Sequence, residues 1–128
     1  MAGKLVHFEL PAQDDERATR FYGELFGWQW NTQDMGPDFK YHMVQLGDEM
    51  GGAVFRSPEG KRGPIVYFDT DDVDASVAKV RELGGDAEDK QPIPGVGWFA
   101  RATDTEGNEF SLFQPDPSVP EEALQQPG

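Results

Sequence analysis

Two side chains that can take up and release protons stand close together near the start of the chain. His7 and Glu9 alternate with apolar residues in segment 5–10. Alternate residues of a β-strand point to the same face and lie roughly 7 Å apart, so His7 and Glu9 are expected to share a face. Imidazole and carboxylate groups commonly serve as general acids and bases. If the protein is an enzyme, the sequence therefore predicts His7 and Glu9 as its catalytic residues.

A helix must hold this strand in place. Residues 14–26 begin with an acidic pair suited to a helix N-cap and end before Gly27. Four residues recur at the i, i+3, i+4, i+7 spacing of a helix face that packs on a core, namely Ala18, Phe21, Tyr22 and Leu25. We expect this helix face to cover the apolar face of the strand. His7 and Glu9 then point away from the helix.

The second half of the chain repeats this pattern. A strand at 65–70 is followed by Asp71-Asp72, by a helix, and by a stop at Gly84-Gly85. The number of residues between Asp14 and Asp71 equals the number between Gly27 and Gly84. This shared spacing indicates an internal duplication. After each helix the sequence predicts three further strands, the first of them at 28–32 in one half and near Ala87 in the other.

These elements predict an α+β fold. Two tandem βαβββ modules, at about residues 4–56 and 64–114, are expected to form curved mixed sheets around a cleft, with the helices on the outside. Both modules belong to one predicted domain of residues 1–114, and segment 91–97 is expected to be a loop. Residues 115–128 are rich in proline, and we expect a tail that covers a surface or is disordered.

The strand faces turned away from the helices form the predicted pocket. Period-two alternation places a mostly apolar set there with a few polar groups, namely His7, Glu9, Ile65, Tyr67, Asp69, Glu109, Ser111 and Phe113. This composition is typical of a small-molecule pocket. Tyr67, Trp98, Ser111 and Phe113 are predicted to contact the ligand. The alternative is that the aromatic residues simply fill the interior.

Composition restricts the classes of partner. The 128 residues include 24 acidic and 11 basic side chains, which gives a net charge of −13 and disfavours nucleic acid and anionic membranes. Cysteine is absent, so there is neither a disulfide nor a thiolate metal site. No apolar run has the length of a membrane span. We expect a cytoplasmic protein.

Four segments carry a family resemblance: 6–9 (VHFE), 18–28 (ATRFYGELFGW), 94–98 (PGVGW) and 104–108 (DTEGN). Together they resemble the vicinal oxygen chelate superfamily, over about residues 4–114. That superfamily includes glyoxalase I, bleomycin and fosfomycin resistance proteins, and extradiol dioxygenases. Single-domain members usually pair, so the resemblance implies a homodimer.

Metal-dependent members of the superfamily hold a divalent ion with four strand residues, usually His or Glu. By this resemblance His7 falls at the first ligand position, and it is the one expected ligand if a metal is present. The second position lies within 52–56, which has no His or carboxylate, and the other two fall at Ile65 and Ser111. A conventional metal site is disfavoured because divalent ions need at least three such ligands. A rearranged site using His7, Glu9 and either His42 or Glu49 is the alternative.

Together with the predicted pocket, the resemblance implies a small-molecule-binding protein of the glyoxalase and bleomycin resistance type that lacks the full metal-ligand set and has no cofactor. One alternative is a divalent-metal-dependent lyase or isomerase like glyoxalase I, or a dioxygenase. A second alternative is a resistance protein that sequesters a drug, for which the acidic composition is suitable.

Overall fold

The computed structural model describes residues 3–37, 39–57 and 63–120, and it divides into two compact units, Val6–Ile65 and Met1–Leu5 with Val66–Gly128. The elements of the first half are β1 (Leu5–Ala12), α1 (Asp15–Phe26), β2 (Asn31–Asp34), β3 (Lys40–Gln45) and β4 (Gly51–Arg56). Those of the second half are β5 (Ile65–Asp69), α2 (Val73–Glu82), β6 (Asp86–Ala87), β7 (Gln91–Ile93), β8 (Gly97–Thr103) and β9 (Glu109–Pro115). The α+β class is confirmed.

The two units share one strand order. In the first unit the order is β2-β3-β4-β1, with β1 parallel to β4 and the other pairs antiparallel. In the second it is β6-β8-β9-β5, with β5 parallel to β9. Strand β7 also pairs with β8 and lies within the segment 91–97 that was expected to be a loop. The repeated order supports the predicted duplication of a βαβββ module.

Both helices begin at an aspartate cap. The Asp14 carboxylate accepts from the Arg17 backbone N–H at 3.0 Å, and Asp72 accepts from the Ala75 N–H at 3.1 Å. The second cap is thus Asp72, so the predicted match of Asp14 to Asp71 is wrong by one residue. Helix α1 ends at Gly27, whose φ of 73° is readily adopted only by glycine.

The helices differ in how they contact their sheets. Val73 and Val77 of α2 are buried in a cluster with side chains from β6, β8 and β9, namely Ala87, Ala100, Ala102 and Leu112. In α1, by contrast, Phe21 and Leu25 are each 59% exposed, so the expectation that both pack on the sheet is wrong. The helix is instead turned so that Tyr22 stacks on Trp28, with ring centroids 5.5 Å apart.

The tryptophans after α1 explain a shift in the next strand. The indole N–H of Trp30 donates to the Thr19 carbonyl at 2.9 Å, and Trp28 lies against Tyr22. Because both rings pack against α1, strand β2 begins only at Asn31, after most of the segment 28–32 that was expected to form it.

Part of the predicted C-terminal tail covers a surface. Val119 is 4% exposed, and its carbonyl accepts from the Gly95 N–H at 2.9 Å. Residues 121–128 lie outside the described residues. Within the described ranges, neither α1 nor α2 has the length or the apolar character needed to cross a bilayer.

Gly52 is required where β4 passes β1. A Cβ at this position would overlap the ring of Phe8, so Gly52→Ala is expected to lower the free energy of unfolding by about 1–3 kcal/mol, measured by urea denaturation. At Gly47 a Cβ would meet nothing within 4 Å. Gly47→Ala is the matched control, with an expected change of less than about 0.5 kcal/mol. Equal stability of the two variants would contradict the prediction.

Candidate functional site

The hydroxyl of Tyr41 joins the two predicted catalytic residues. Tyr41 Oη donates to Glu9 Oε2 at 2.7 Å and lies 2.9 Å from His7 Nε2. His7 and Glu9 therefore share a face of β1, as alternation predicts. Tyr41 comes from β3, which is separated from β1 by β4. Sequence reasoning missed Tyr41, because only the strand order brings it to this position. We call His7, Tyr41 and Glu9 the polar triad.

The hydrogen bonds of the polar triad determine which of its atoms carry protons. Tyr41 has one hydroxyl proton, and it donates this proton to Glu9. An ionised carboxylate only accepts, so the contact between Tyr41 and His7 needs a proton on His7 Nε2. Burial lowers the pKa of His7 and keeps the ring neutral at neutral pH. The basic nitrogen of His7 is therefore Nδ1.

Aromatic rings and small residues surround the polar triad. Tyr41 stacks against both His7 and Phe55, at centroid distances of 6.4 and 6.3 Å. On the neighbouring strand β4, Gly51 is in register with His7 and Ala53 with Glu9. These two small residues place little bulk beside the polar atoms. The face can therefore combine ring contacts with hydrogen bonds.

The predicted ligand contacts of the second unit fall on two faces of its sheet. Ser111 is in register with Tyr67, and it is 1% exposed. Leu112 belongs to the cluster beneath α2. Its neighbours Ser111 and Phe113 therefore point to the opposite face, which Tyr67 shares. The structure thus groups Tyr67, Ser111 and Phe113 together.

Trp98 is separated from that group. Its ring packs on the hydrophobic cluster beneath α2. The indole N–H donates to Asp116 Oδ2 at 3.2 Å, and Lys90 Nζ lies 4.5 Å from the ring centroid. Trp98 therefore lies on the helix side of its sheet, whereas Ser111 lies on the other side.

His42 belongs to a second polar cluster. It is 8% exposed, so it is buried within the fold and does not lie at the surface. Alternation turns it away from the face of Tyr41, towards α1. His42 Nε2 lies 2.7 Å from Asp15 Oδ2, and His42 Nδ1 lies 2.8 Å from Thr32 Oγ1. Burial alone would raise the pKa of Asp15, but the hydrogen bond from His42 and those from backbone N–H groups outweigh burial and lower it.

The ligand types do not fit the metal site of the superfamily. Within residues 3–37, 39–57 and 63–120, no three His, Cys, Asp or Glu side chains are grouped so that they could hold a metal ion. The positions beside His7 and Glu9 on β4 are Gly51 and Ala53. His42 faces α1 and is held by Asp15 and Thr32, so it does not join His7 and Glu9.

A comparison with family models supports the fold and decides the family. Residues 6–113 match the model described as a glyoxalase-like domain. The chain belongs to this family. This glyoxalase-like domain is a member of the vicinal oxygen chelate superfamily, as the sequence motifs indicate.

Named relatives agree with this assignment. The domain is 32% identical over 118 residues to a protein of Mycobacterium bovis with the provisional name glyoxylase CFP32, covering 90% of this chain and 45% of that protein. It therefore spans about half the length of that relative. It is 31% identical to a glyoxylase-like domain-containing protein of Didymella fabae, covering 86% of this chain and 92% of that one.

Solved structures share the fold at low identity. A methylmalonyl-CoA epimerase from Mycobacterium tuberculosis has a TM-score of 0.68 and 16% identity, covering 91% of this chain and 90% of that chain. A hypothetical protein of Bacillus halodurans has a TM-score of 0.69 and 17% identity, with coverages of 89% and 95%. A methylmalonyl-CoA epimerase solved with methylmalonyl-CoA has a TM-score of 0.67 and 17% identity, with coverages of 94% and 99%.

Proposed function

We propose that this glyoxalase-like domain binds a small, partly apolar organic molecule at the polar triad, without a conventional divalent metal. The observation that carries the proposal is the double contact of Tyr41 Oη, at 2.7 Å from Glu9 and 2.9 Å from His7. The contact fixes both side chains and their protons before a ligand arrives. A site of this kind loses little entropy when it binds.

The polar triad offers distinct groups to a ligand. His7 Nδ1 accepts a hydrogen bond from a hydroxyl or N–H group, and the negative charge of Glu9 favours a donor or a cation. Phe55 and Tyr41 offer ring surface to an apolar part. Within the other unit, taken by itself, we propose Tyr67, Ser111 and Phe113 as ligand contacts, because they share one face of their own sheet.

Two connected hydrogen bonds also allow proton transfer. When Nδ1 of His7 takes a proton from a ligand, the Nε2 proton can pass to Tyr41 Oη and the Tyr41 proton to Glu9. Each proton moves along one hydrogen bond, so the ring stays neutral and Glu9 ends protonated. This is general acid–base chemistry by groups of this chain alone. It gives His7 and Glu9 the proposed catalytic roles.

The test combines metal analysis with ligand binding. Protein purified without chelator is expected to carry no stoichiometric divalent metal by plasma mass spectrometry. Ligand-observed NMR with a library of small organic fragments identifies fragments that bind the wild type. These fragments are expected not to bind His7→Ala. That variant is expected to keep the wild-type circular dichroism spectrum.

Either of two results would overturn the proposal. Stoichiometric Ni, Zn, Mn or Fe would favour a metal-dependent lyase, isomerase or dioxygenase instead. A loss of several kcal/mol of stability in His7→Ala would mark His7 as a structural residue.

A further inference from the structure

Exposed apolar side chains are concentrated on α1. Phe21, Leu25 and Phe26 are 59%, 59% and 58% exposed, and no residue of this helix is buried. In α2, by comparison, Val73 and Val77 are buried. A surface helix normally packs its apolar stripe inward. Contiguous exposed apolar groups mark surfaces that bind another protein.

A groove adjoins this stripe and is lined by α1 and by residues 12–14, which precede it. Its volume is about 470 Å³, and its lining residues are Ala12, Gln13, Asp14, Arg17, Ala18, Phe21 and Tyr22. Phe21 is therefore both a wall of the groove and an exposed ring beside it. A surface that carries a protruding ring next to a groove can pair with an identical surface through a two-fold axis.

A positive and a negative side chain flank Phe21, so two identical copies of this surface can pair opposite charges. Arg17 and Glu24 are exposed, and within the described part of the chain neither forms an ion pair. The helical rise puts them about 6 Å and about 4.5 Å from Phe21 along the axis, on opposite sides. When a second α1 runs antiparallel with its Phe21 opposite, each Arg17 faces the other copy's Glu24. This pattern favours a second copy as the partner.

We propose that α1 packs antiparallel against α1 of a second copy of this chain, with each Phe21 ring in the groove of the other copy. Leu25 extends the apolar contact, and Ala18 allows close approach of the two helices. The proposal rests on α1 and the adjoining residues 12–14, and it does not depend on the function of the polar triad.

Sedimentation equilibrium of the full chain tests the apolar part. The wild type is expected to dimerise, and Phe21→Ser is expected to weaken the dimer at least about thirtyfold, as for a central aromatic residue of an interface. Because Phe21 is exposed, the variant is expected to keep the wild-type circular dichroism spectrum. Leu83→Ser, at a residue that is 66% exposed beside α2, is the matched control and is expected to dimerise normally.

A charge exchange tests the orientation. Arg17→Glu and Glu24→Arg are each expected to weaken the dimer, and the double variant is expected to restore it. Two results would overturn the proposal. Dimers that persist in Phe21→Ser would assign self-association to another surface. A wild type that stays monomeric would show that the exposed surface of α1 does not bind a second copy of this chain.

Discussion

Replacing His42 by alanine is expected to lower the free energy of unfolding by about 2–4 kcal/mol. The substitution empties the space of a side chain that is 8% exposed, and it removes the contacts with Asp15 at 2.7 Å and Thr32 at 2.8 Å. It also leaves the Asp15 carboxylate, in the first turn of α1, without its imidazole donor. Chemical denaturation of wild type and variant measures the difference. A loss below about 0.5 kcal/mol would contradict it.

The contact between His42 and Asp15 also predicts that the free energy of unfolding depends on pH. The hydrogen bond from His42 helps to hold the pKa of Asp15 below its ordinary value, against the effect of burial. Stabilisation by a carboxylate of this kind is complete above the unfolded-state pKa, about 4, and is lost as the pH falls through the lower folded-state value. The stability difference between wild type and Asp15→Asn should therefore shrink in that window. Glu16→Gln, at the exposed neighbour, is the matched control, because it removes a carboxylate next to Asp15 that does not contact His42.

Removing only the hydroxyl of Tyr41, in Tyr41→Phe, is expected to weaken fragment binding about ten- to hundredfold. The ring and its stacking on Phe55 remain, but His7 Nε2 loses its acceptor and Glu9 loses its donor. The two side chains are then no longer fixed relative to each other. Titration of a fragment that binds the wild type, followed by NMR, measures the change in affinity.

Two measurements separate this role from simple stabilisation. Nitrogen-15 shifts of His7 are expected to report a proton on Nε2 in the wild type and a mixture of tautomers in Tyr41→Phe. The matched control is Tyr22→Phe, which removes a tyrosine hydroxyl from α1 and is expected to leave affinity and tautomer unchanged. Wild-type affinity in Tyr41→Phe would show that the hydroxyl has no part in binding.

Local patterns allow some of this architecture to be predicted. Alternation along one strand is a property of neighbouring residues, so His7 and Glu9 could be placed on one face without knowledge of their surroundings. The same reasoning puts Ser111 and Phe113 on one face of β9. The aspartate caps and the stop at Gly27 are equally local, because they depend on hydrogen bonds within one helical turn.

Features that depend on distant parts of the chain could not be predicted in this way. Tyr41 and His7 come together because their strands, β3 and β1, are both neighbours of β4 in the sheet. No local pattern encodes that strand order. Burial of His42 depends on the packing of α1 over β3. The helical spacing of Phe21 correctly indicates an apolar stripe, but spacing does not say which side of the helix meets the sheet.

The shared strand register shows how the duplicated halves have diverged. Two pairs in the first half have direct counterparts in the second: Glu9 with Ala53 and Tyr41 with Phe55 correspond to Tyr67 with Ser111 and Phe99 with Phe113. Phe99 thus stands where Tyr41 does and has no hydroxyl to share. The first half has the ionisable carboxylate of Glu9, and the second half has uncharged side chains at the corresponding positions. The same scaffold therefore presents different chemical groups in its two halves.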